Sequence, residues 1–438
     1  PGSLATTVPT LAEQLSAHGY ATGLFGKWHL ASESVVPSDT WPTRRGFDEF
    51  RGILPGASSY YQPPLVEGEE RVPEHSLADD FYFTDDISEH GADFVRRRGE
   101  AGEPFFLLLT YTAPHWPLHA AEEDIAKYRR RFGEGWNRVR AERLARLQES
   151  GMVSVDHLPP AQEGMPWPVD SVQWQIERMA VYAAQVASLD RGVGRILDAV
   201  DDAGIDNDTM ILFFSDNGGS AEELAPGQSI GTQACPPSTR SGEPVVVGND
   251  PDHLPGPPTT YQSYGAEWAT VSNTPFRLWK RWVHEGGIST PFIASWPGGG
   301  VARGGTISHA VGHVIDIVPT VMDAVGLSVE MEGVSLLSRW RHPADEGEER
   351  TVCWEHMGNS AVRRGCWKLV REWGGAWELY DIVADRIESV DLAGAERDLV
   401  AELSAEYERW AKSHGVIPWG EVLADRAARS AAAASVRG

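Results

Sequence analysis

Four short polar clusters carry the side chains best able to do chemistry. They are Gly26-Lys27-Trp28-His29, Pro114-His115-Trp116-Pro117, Ser215-Asp216-Asn217-Gly218, and Lys280 followed by His284-Glu285-Gly286-Gly287. Lysine and histidine together can bind the oxygens of an anion and move protons. An aspartate beside an asparagine offers two hard oxygen donors, which suit Ca2+ or Mg2+. Taken singly, each cluster is an ordinary turn or a solvated strand end. Gathered on one edge, they would form a cationic pocket around a metal, which an anionic tetrahedral substrate requires.

The elements around the clusters give them that shared edge. Residues 7–18 predict a helix, with Pro9 in its first turn, Leu11 and Leu15 at helical spacing and Gly19 at its end. Strands are predicted at 20–25, 104–111, 210–214 and 291–296, the second and third of them buried. The first three clusters follow a strand and the fourth precedes one. Helices are predicted at 77–98, 121–131, 137–149, 171–200 and 314–325, the longest bearing a wide apolar stripe from Ile176 to Val200. Strands alternating with helices imply an α/β domain with a largely parallel sheet, whose ligands sit beyond the carboxyl ends of the strands. The 228–264 stretch is rich in Pro, Gly, Ser and Thr and reads as one long loop. Beyond residue 340 the pattern changes to short strands at 351–356, 361–371 and 377–383 and a helix at 395–413. The expected domains are therefore 1–340, a small α+β subdomain at 341–426, and a low-complexity, frayed tail at 427–438.

Composition narrows the partners. Lys and Arg number 38 against 63 Asp and Glu, a formal charge of −25. Such a surface disfavours nucleic acid and anionic membranes, and makes a local basic pocket necessary for any anionic substrate. No apolar run is long enough to span a bilayer. The three cysteines, Cys235, Cys353 and Cys366, are odd in number and widely spaced, which argues against a disulfide scaffold or a zinc ribbon.

Taken jointly, the clusters resemble the sulfatase family of the alkaline-phosphatase-like superfamily. The stretch from Gly19-Tyr20-Ala21-Thr22 to Gly26-Lys27-Trp28-His29-Leu30 is similar to the family's second signature, and the other three clusters follow in the family's order. Arg45-Gly46-Phe47-Asp48 and residues 313–320 resemble further family blocks, and Asn273-Thr274-Pro275-Phe276-Arg277 resembles the bacterial arylsulfatase-like branch. The resemblance implies an alkaline-phosphatase-like α/β domain with a mostly parallel central sheet, plus a small C-terminal subdomain with a short antiparallel sheet. It implies hydrolysis of a small-molecule or glycan sulfate ester. Lys27, His29, His115 and Lys280 would be catalytic; Asp216 and Asn217 would bind calcium, with Mg2+ the second choice. His284, Trp116 and Trp279 would line the leaving-group side, with Trp282 a further candidate there; for the tryptophans, core packing is an equal reading.

The family's nucleophile is a formylglycine within a Cys-x-Pro-Ser-Arg signature before the Gly-Lys-Trp-His block, and nothing like it precedes Lys27. The expectation is thus a fragment whose formylglycine lies outside this chain. Cys235-Pro236-Pro237-Ser238-Thr239-Arg240 mimics the signature with its arginine one place late, and reads as coincidence. Ala31 stands where the family usually has Gly. Two alternatives stay open: a phosphonate or phosphodiester hydrolase of the same superfamily, and an inactive binding protein. The compartment, bacterial periplasm or cytoplasm, is left open too.

Overall fold

The computed structural model describes the whole chain except residues 1, 33, 156, 159–166, 232, 302–303, 329, 345–346, 348 and 438. Helix α1 (Leu11–Ser16) begins with a capping box: Thr10 accepts from the Glu13 amide, and the Glu13 carboxylate accepts from the Thr10 amide. That cap, rather than Thr7, sets where the helix starts. Strand β1 (Ala21–Lys27) follows, then β2 (Glu49–Ile53), β3 (Val66–Glu67), β4 (Glu70–Arg71), helix α2 (Phe83–Ala101) and β5 (Phe105–Thr110). These five strands form one mixed sheet, ordered β4-β3-β2-β1-β5, with β1 parallel to both β2 and β5.

Side-chain alternation covers both faces of this sheet. Phe105, Leu107 and Leu109 pack with Phe25 and, from α2, Ile87 and Phe94, whereas Phe106 and Leu108 pack with Leu24, Trp28, Trp41 and Phe47. Each fully buried side chain of this size contributes roughly 1.5–3 kcal/mol. Helices α3 (Glu122–Tyr128), α4 (Trp136–Glu149) and the 31-residue α5 (Val172–Asp202) come next. Helix α5 lies against α2 through Ala199 and Val200, which meet Ala92 and Val95.

Strand β6 (Ile211–Phe214) departs from the expectation of a buried parallel strand. It pairs antiparallel with a later strand, Phe292–Ser295, in a separate two-stranded sheet, and Phe213 and Phe214 are exposed. Among the described residues no further strand is bonded to this pair, and Phe292 packs against Trp340 with ring centroids 5.5 Å apart. The 228–264 loop contains two short strands, β7 (Val246–Val247) and β8 (Thr260–Tyr261). Helices α6 (Gly265–Ser272) and α7 (Glu285–Ile288) precede β9 (Phe292–Ser295), and α8 (Ile317–Ala324) and α9 (Leu337–Arg341) follow it.

The C-terminal subdomain is a four-stranded antiparallel meander of β10 (Thr351–His356), β11 (Asn359–Arg364), β12 (Trp367–Arg371) and β13 (Glu378–Asp381). The single strand expected at 361–371 is two, because Gly365 takes φ 57° and reverses the chain. Helix α10 (Arg397–Ser413) packs on the meander through Leu403 and Tyr407. The tail expected to fray continues helix α11 (Trp419–Arg437). Among the described residues no helix is long and apolar enough to cross a membrane.

One buried histidine gives stability a pH dependence. His119 is 1% exposed; its Nε2–H donates to the Thr260 carbonyl at 2.7 Å, and its Nδ1 accepts from the Tyr60 amide at 3.4 Å. Burial pulls its pKa down to about 4. Between pH 4 and 6.5 the unfolded chain therefore binds a proton that the folded chain refuses, so stability falls as pH drops through that window. The expected loss from this residue is on the order of a few kcal/mol. Denaturant unfolding at pH 7 and pH 4.5, with His119→Gln flattening the difference, checks it.

Candidate active site

Strand ends bring the polar clusters together. Lys27 is the last residue of β1. Gly26 before it takes φ 123°, and a Cβ there would stand 2.2 Å from the Thr110 carbonyl at the end of β5. Only glycine lets the two strand ends lie that close. Burial lowers the Lys27 pKa, Asp216 opposes that shift, and Lys280 adds to it. Lys27 thus lies within electrostatic reach of both the Ser215–Gly218 turn and the Lys280 loop.

His115 is held from three sides. Its Nδ1–H donates to the Trp116 carbonyl at 2.7 Å, and its own carbonyl accepts from the Tyr60 hydroxyl at 2.9 Å. Its Nε2 faces Lys280 Nζ at 3.3 Å. Burial, then Lys280, brings its pKa to about 4, so it is neutral at pH 7 and Nε2 accepts from the lysine. The segment carrying it has cis peptide bonds before Pro114 and Pro117.

His29 extends from a left-handed residue, φ 55°, and its ring is exposed. Burial of part of the ring, with Lys27 and Lys280 nearby, lowers its pKa and favours the neutral base. Gly56 packs beneath it: a Cβ at that position would be 2.5 Å from both Cε1 and Nε2 of the imidazole. Gly56→Ala is expected to fold normally, because only a mobile ring must swing aside, yet to lose roughly ten- to hundredfold in kcat. Parallel measurement of thermal unfolding and kcat checks this; an unchanged kcat would refute it.

The Lys280 loop is fastened to the Ser215–Gly218 turn. The Lys280 amide donates to the Gly219 carbonyl at 3.0 Å, and Gly218 N–H donates to the Gly287 carbonyl at 3.0 Å. Asn273 bridges the two: its Oδ1 accepts from the Gly219 amide and its Nδ2 donates to the Leu278 carbonyl.

The residues expected on the leaving-group side fare differently. Trp116 lies beside His115, ring centroids 4.7 Å apart, and its indole N–H donates to Glu222 at 2.6 Å. Glu222, exposed and within electrostatic reach of Lys280 and His115, is a rim residue that no sequence pattern marked. Trp279 packs against the core of α4–α6, and Trp282 lies under the Arg281 guanidinium. His284 is a correction: it is fully buried, with Nε2 3.6 Å from Glu378 of β13, so it faces the C-terminal subdomain and not a ligand. His284 is the residue before the helix that starts at Glu285, and its side chain makes no capping hydrogen bond there.

Asp216 and Asn217 provide hard oxygen donors at the end of β6, which fit a Ca2+ or Mg2+ ion in kind. They are two of the roughly six to eight oxygen ligands that calcium takes. Among the described residues no group of three or more His, Cys, Asp or Glu side chains could hold a metal. At the signature mimic, burial pushes the Cys235 thiol up to about 11, and Arg240 is spent on the carbonyls of Leu77 and Ala78.

Comparison with known proteins bears on the family. A family model described as Sulfatase matches residues 2–327. An uncharacterized sulfatase of Schizosaccharomyces pombe is 28% identical over 452 residues, covering 95% of this chain and 79% of that protein. An arylsulfatase of Klebsiella aerogenes is 30% identical over 341 residues, covering 74% of this chain and 69% of that one. The crystal structure of Ps i-CgsB shares the fold, with a TM-score of 0.64 at 22% identity over 93% of this chain and 75% of that one. With the family model spanning most of its length and its cationic strand-end residues in mutual reach, the chain belongs to the sulfatase family.

Proposed function

We propose that the protein is a sulfuric-ester hydrolase that cleaves a small-molecule or glycan sulfate monoester to an alcohol or phenol and sulfate. The observation that carries this reading is the set Lys27, His115 and Lys280 in mutual reach, with Asp216 beside Lys27, a cationic site in a chain of net charge −25. Lys27 and Lys280 hold sulfate oxygens and neutralise their charge. Neutral His115 accepts a hydrogen bond from Lys280, which fixes the ammonium beside the ester oxygen. As the S–O bond breaks, the Lys280–His115 pair passes a proton to that oxygen, and the alcohol leaves neutral. His29, neutral and exposed to the site, takes a proton from the attacking side.

The sulfatase family generally uses a formylglycine, which supplies the attacking oxygen, and a metal ion, which polarises the sulfate. For the metal we favour Ca2+, held in part by Asp216 and Asn217. Trp116 and Glu222 bound the side where the alcohol leaves.

The full-length protein assayed on p-nitrophenyl sulfate, p-nitrophenyl phosphate and a phenyl phosphonate monoester tests the reading. A kcat/KM roughly a hundredfold higher on the sulfate is expected. A preference for the phosphonate would establish the alternative hydrolase, and no turnover of any of them would refute the enzymatic reading.

A further inference from the structure

Lys280 sits in an unusual piece of backbone. Leu278 and Arg281, neither of them glycine, take φ 63° and 95° on either side of it. Left-handed conformations of such residues persist only where the surroundings impose them. Gly219 and Asn273 hold Lys280 and Leu278 from one side, and the C-terminal subdomain holds the flanks of the loop from the other. On the N-terminal side of Lys280, Arg277 Nη1 donates to the Tyr380 hydroxyl at 3.0 Å and the Glu388 carbonyl at 3.1 Å, and lies 3.4 Å from Glu378. The Tyr380 hydroxyl in turn donates to Glu378 at 2.6 Å. On the C-terminal side, the Glu285 carboxylate accepts from Lys368 Nζ at 2.8 Å, and its amide donates to the Glu388 carboxylate at 3.0 Å. Lys368 also meets Glu388 at 2.8 Å, and Arg386 meets Glu285 at 3.2 Å.

Lys368, Glu285 and Glu388 are 0%, 3% and 1% exposed. Buried ion pairs add little net stability over apolar packing, because each charge must first be stripped of water. What they do impose is a register, since removing either partner leaves an unmatched buried charge. The register fixed here is that of residues 277–285, with Lys280 in their middle.

We infer that the C-terminal sheet is a clamp for the Lys280 loop, and that Glu378 and Tyr380, acting through Arg277, are positioning residues for sulfate binding. The inference rests on the reading that Lys280 holds a sulfate oxygen. Neither residue touches the substrate.

Calorimetric titration of the full-length protein with inorganic sulfate tests it. Lys280→Ala is expected to weaken binding by roughly thirtyfold, Glu378→Gln by about tenfold and Tyr380→Phe by about threefold. Because the clamp acts through Lys280, adding either clamp substitution to Lys280→Ala should weaken binding no further. A merely structural role would instead give the same factor with or without Lys280, and that outcome, or no effect of the clamp variants in the native background, overturns the inference. Should Glu378→Gln fail to fold, Tyr380→Phe, which removes a single hydroxyl, decides. If Lys280→Ala leaves sulfate binding unchanged, the assignment of Lys280 itself fails and takes the clamp with it.

Discussion

Replacing either His115 or Lys280 by alanine is expected to lower kcat/KM on an unactivated alkyl sulfate by roughly a thousandfold, and replacing both by little more. The two groups lie 3.3 Å apart and share one hydrogen bond, so they act as a unit. His115 Nδ1 is committed to the Trp116 carbonyl, which leaves only Nε2 for the lysine. Without His115 the ammonium loses its anchor; without Lys280 the imidazole, which burial still disfavours protonating, carries no proton on Nε2 to hand on at pH 7. Groups that act as a unit are far from additive when removed one at a time. The loss should also shrink on p-nitrophenyl sulfate, whose leaving oxygen needs little protonation. Rates for both single variants and the double variant on the two substrates check this. Additive losses, or equal losses on both leaving groups, would mean that the pair does not protonate the leaving oxygen.

The second large effect lies in the backbone. Gly218→Ala is expected to destabilise the protein by about 3 kcal/mol or more and to abolish turnover. A Cβ at residue 218 would stand 1.8 Å from the Gly286 carbonyl oxygen. Neither side can yield: Gly218 is bonded to Gly287, Gly286 to Arg277, and Gly219 to Asn273. Separating them would carry Asp216 and Asn217 away from Lys280. Gly194→Ala serves as the control, because nothing lies within 4 Å of a Cβ there and α5 is helical, so a gain of about 0.5–1 kcal/mol is expected. Urea unfolding of both variants separates the cases; a neutral Gly218→Ala would show that this seam is loose.

What the sequence made legible is local. Lys27 and His115 stand at or after strands that short, nearly unbroken apolar runs announce, and Asp216 follows another, so a common edge is an expectation the sequence supports. The first helix is legible too, but its expected start at residue 7 falls before the capping box of Thr10 and Glu13. Pairing partners were not legible. Residues 211–214 and 292–295 carry apolar runs that suit a parallel or an antiparallel ladder equally, and only the fold shows them bonded antiparallel to each other. Which way a side chain points at a helix start is equally silent, which is why His284 turned out to be interior. Gly56 and Glu222 gave no signal, since one acts by lacking a Cβ and the other by lying next to residues distant in sequence.

The separations within the clamp set a timetable for synthesis. Lys368 follows Glu285 by 83 positions, Tyr380 follows Arg277 by 103, and Glu388 follows it by 111. At roughly 5–20 residues per second, a ribosome delivers those partners some ~4–20 s after the loop they hold. The β1–β2–β5 sheet can close early, because its strands lie within the first 110 residues. The loop cannot, since contacts so distant along the chain form late. A nascent polypeptide would therefore stay silent toward sulfate esters until residues 368–388 emerge, and a stop codon before residue 368 would leave a sheet without a working centre.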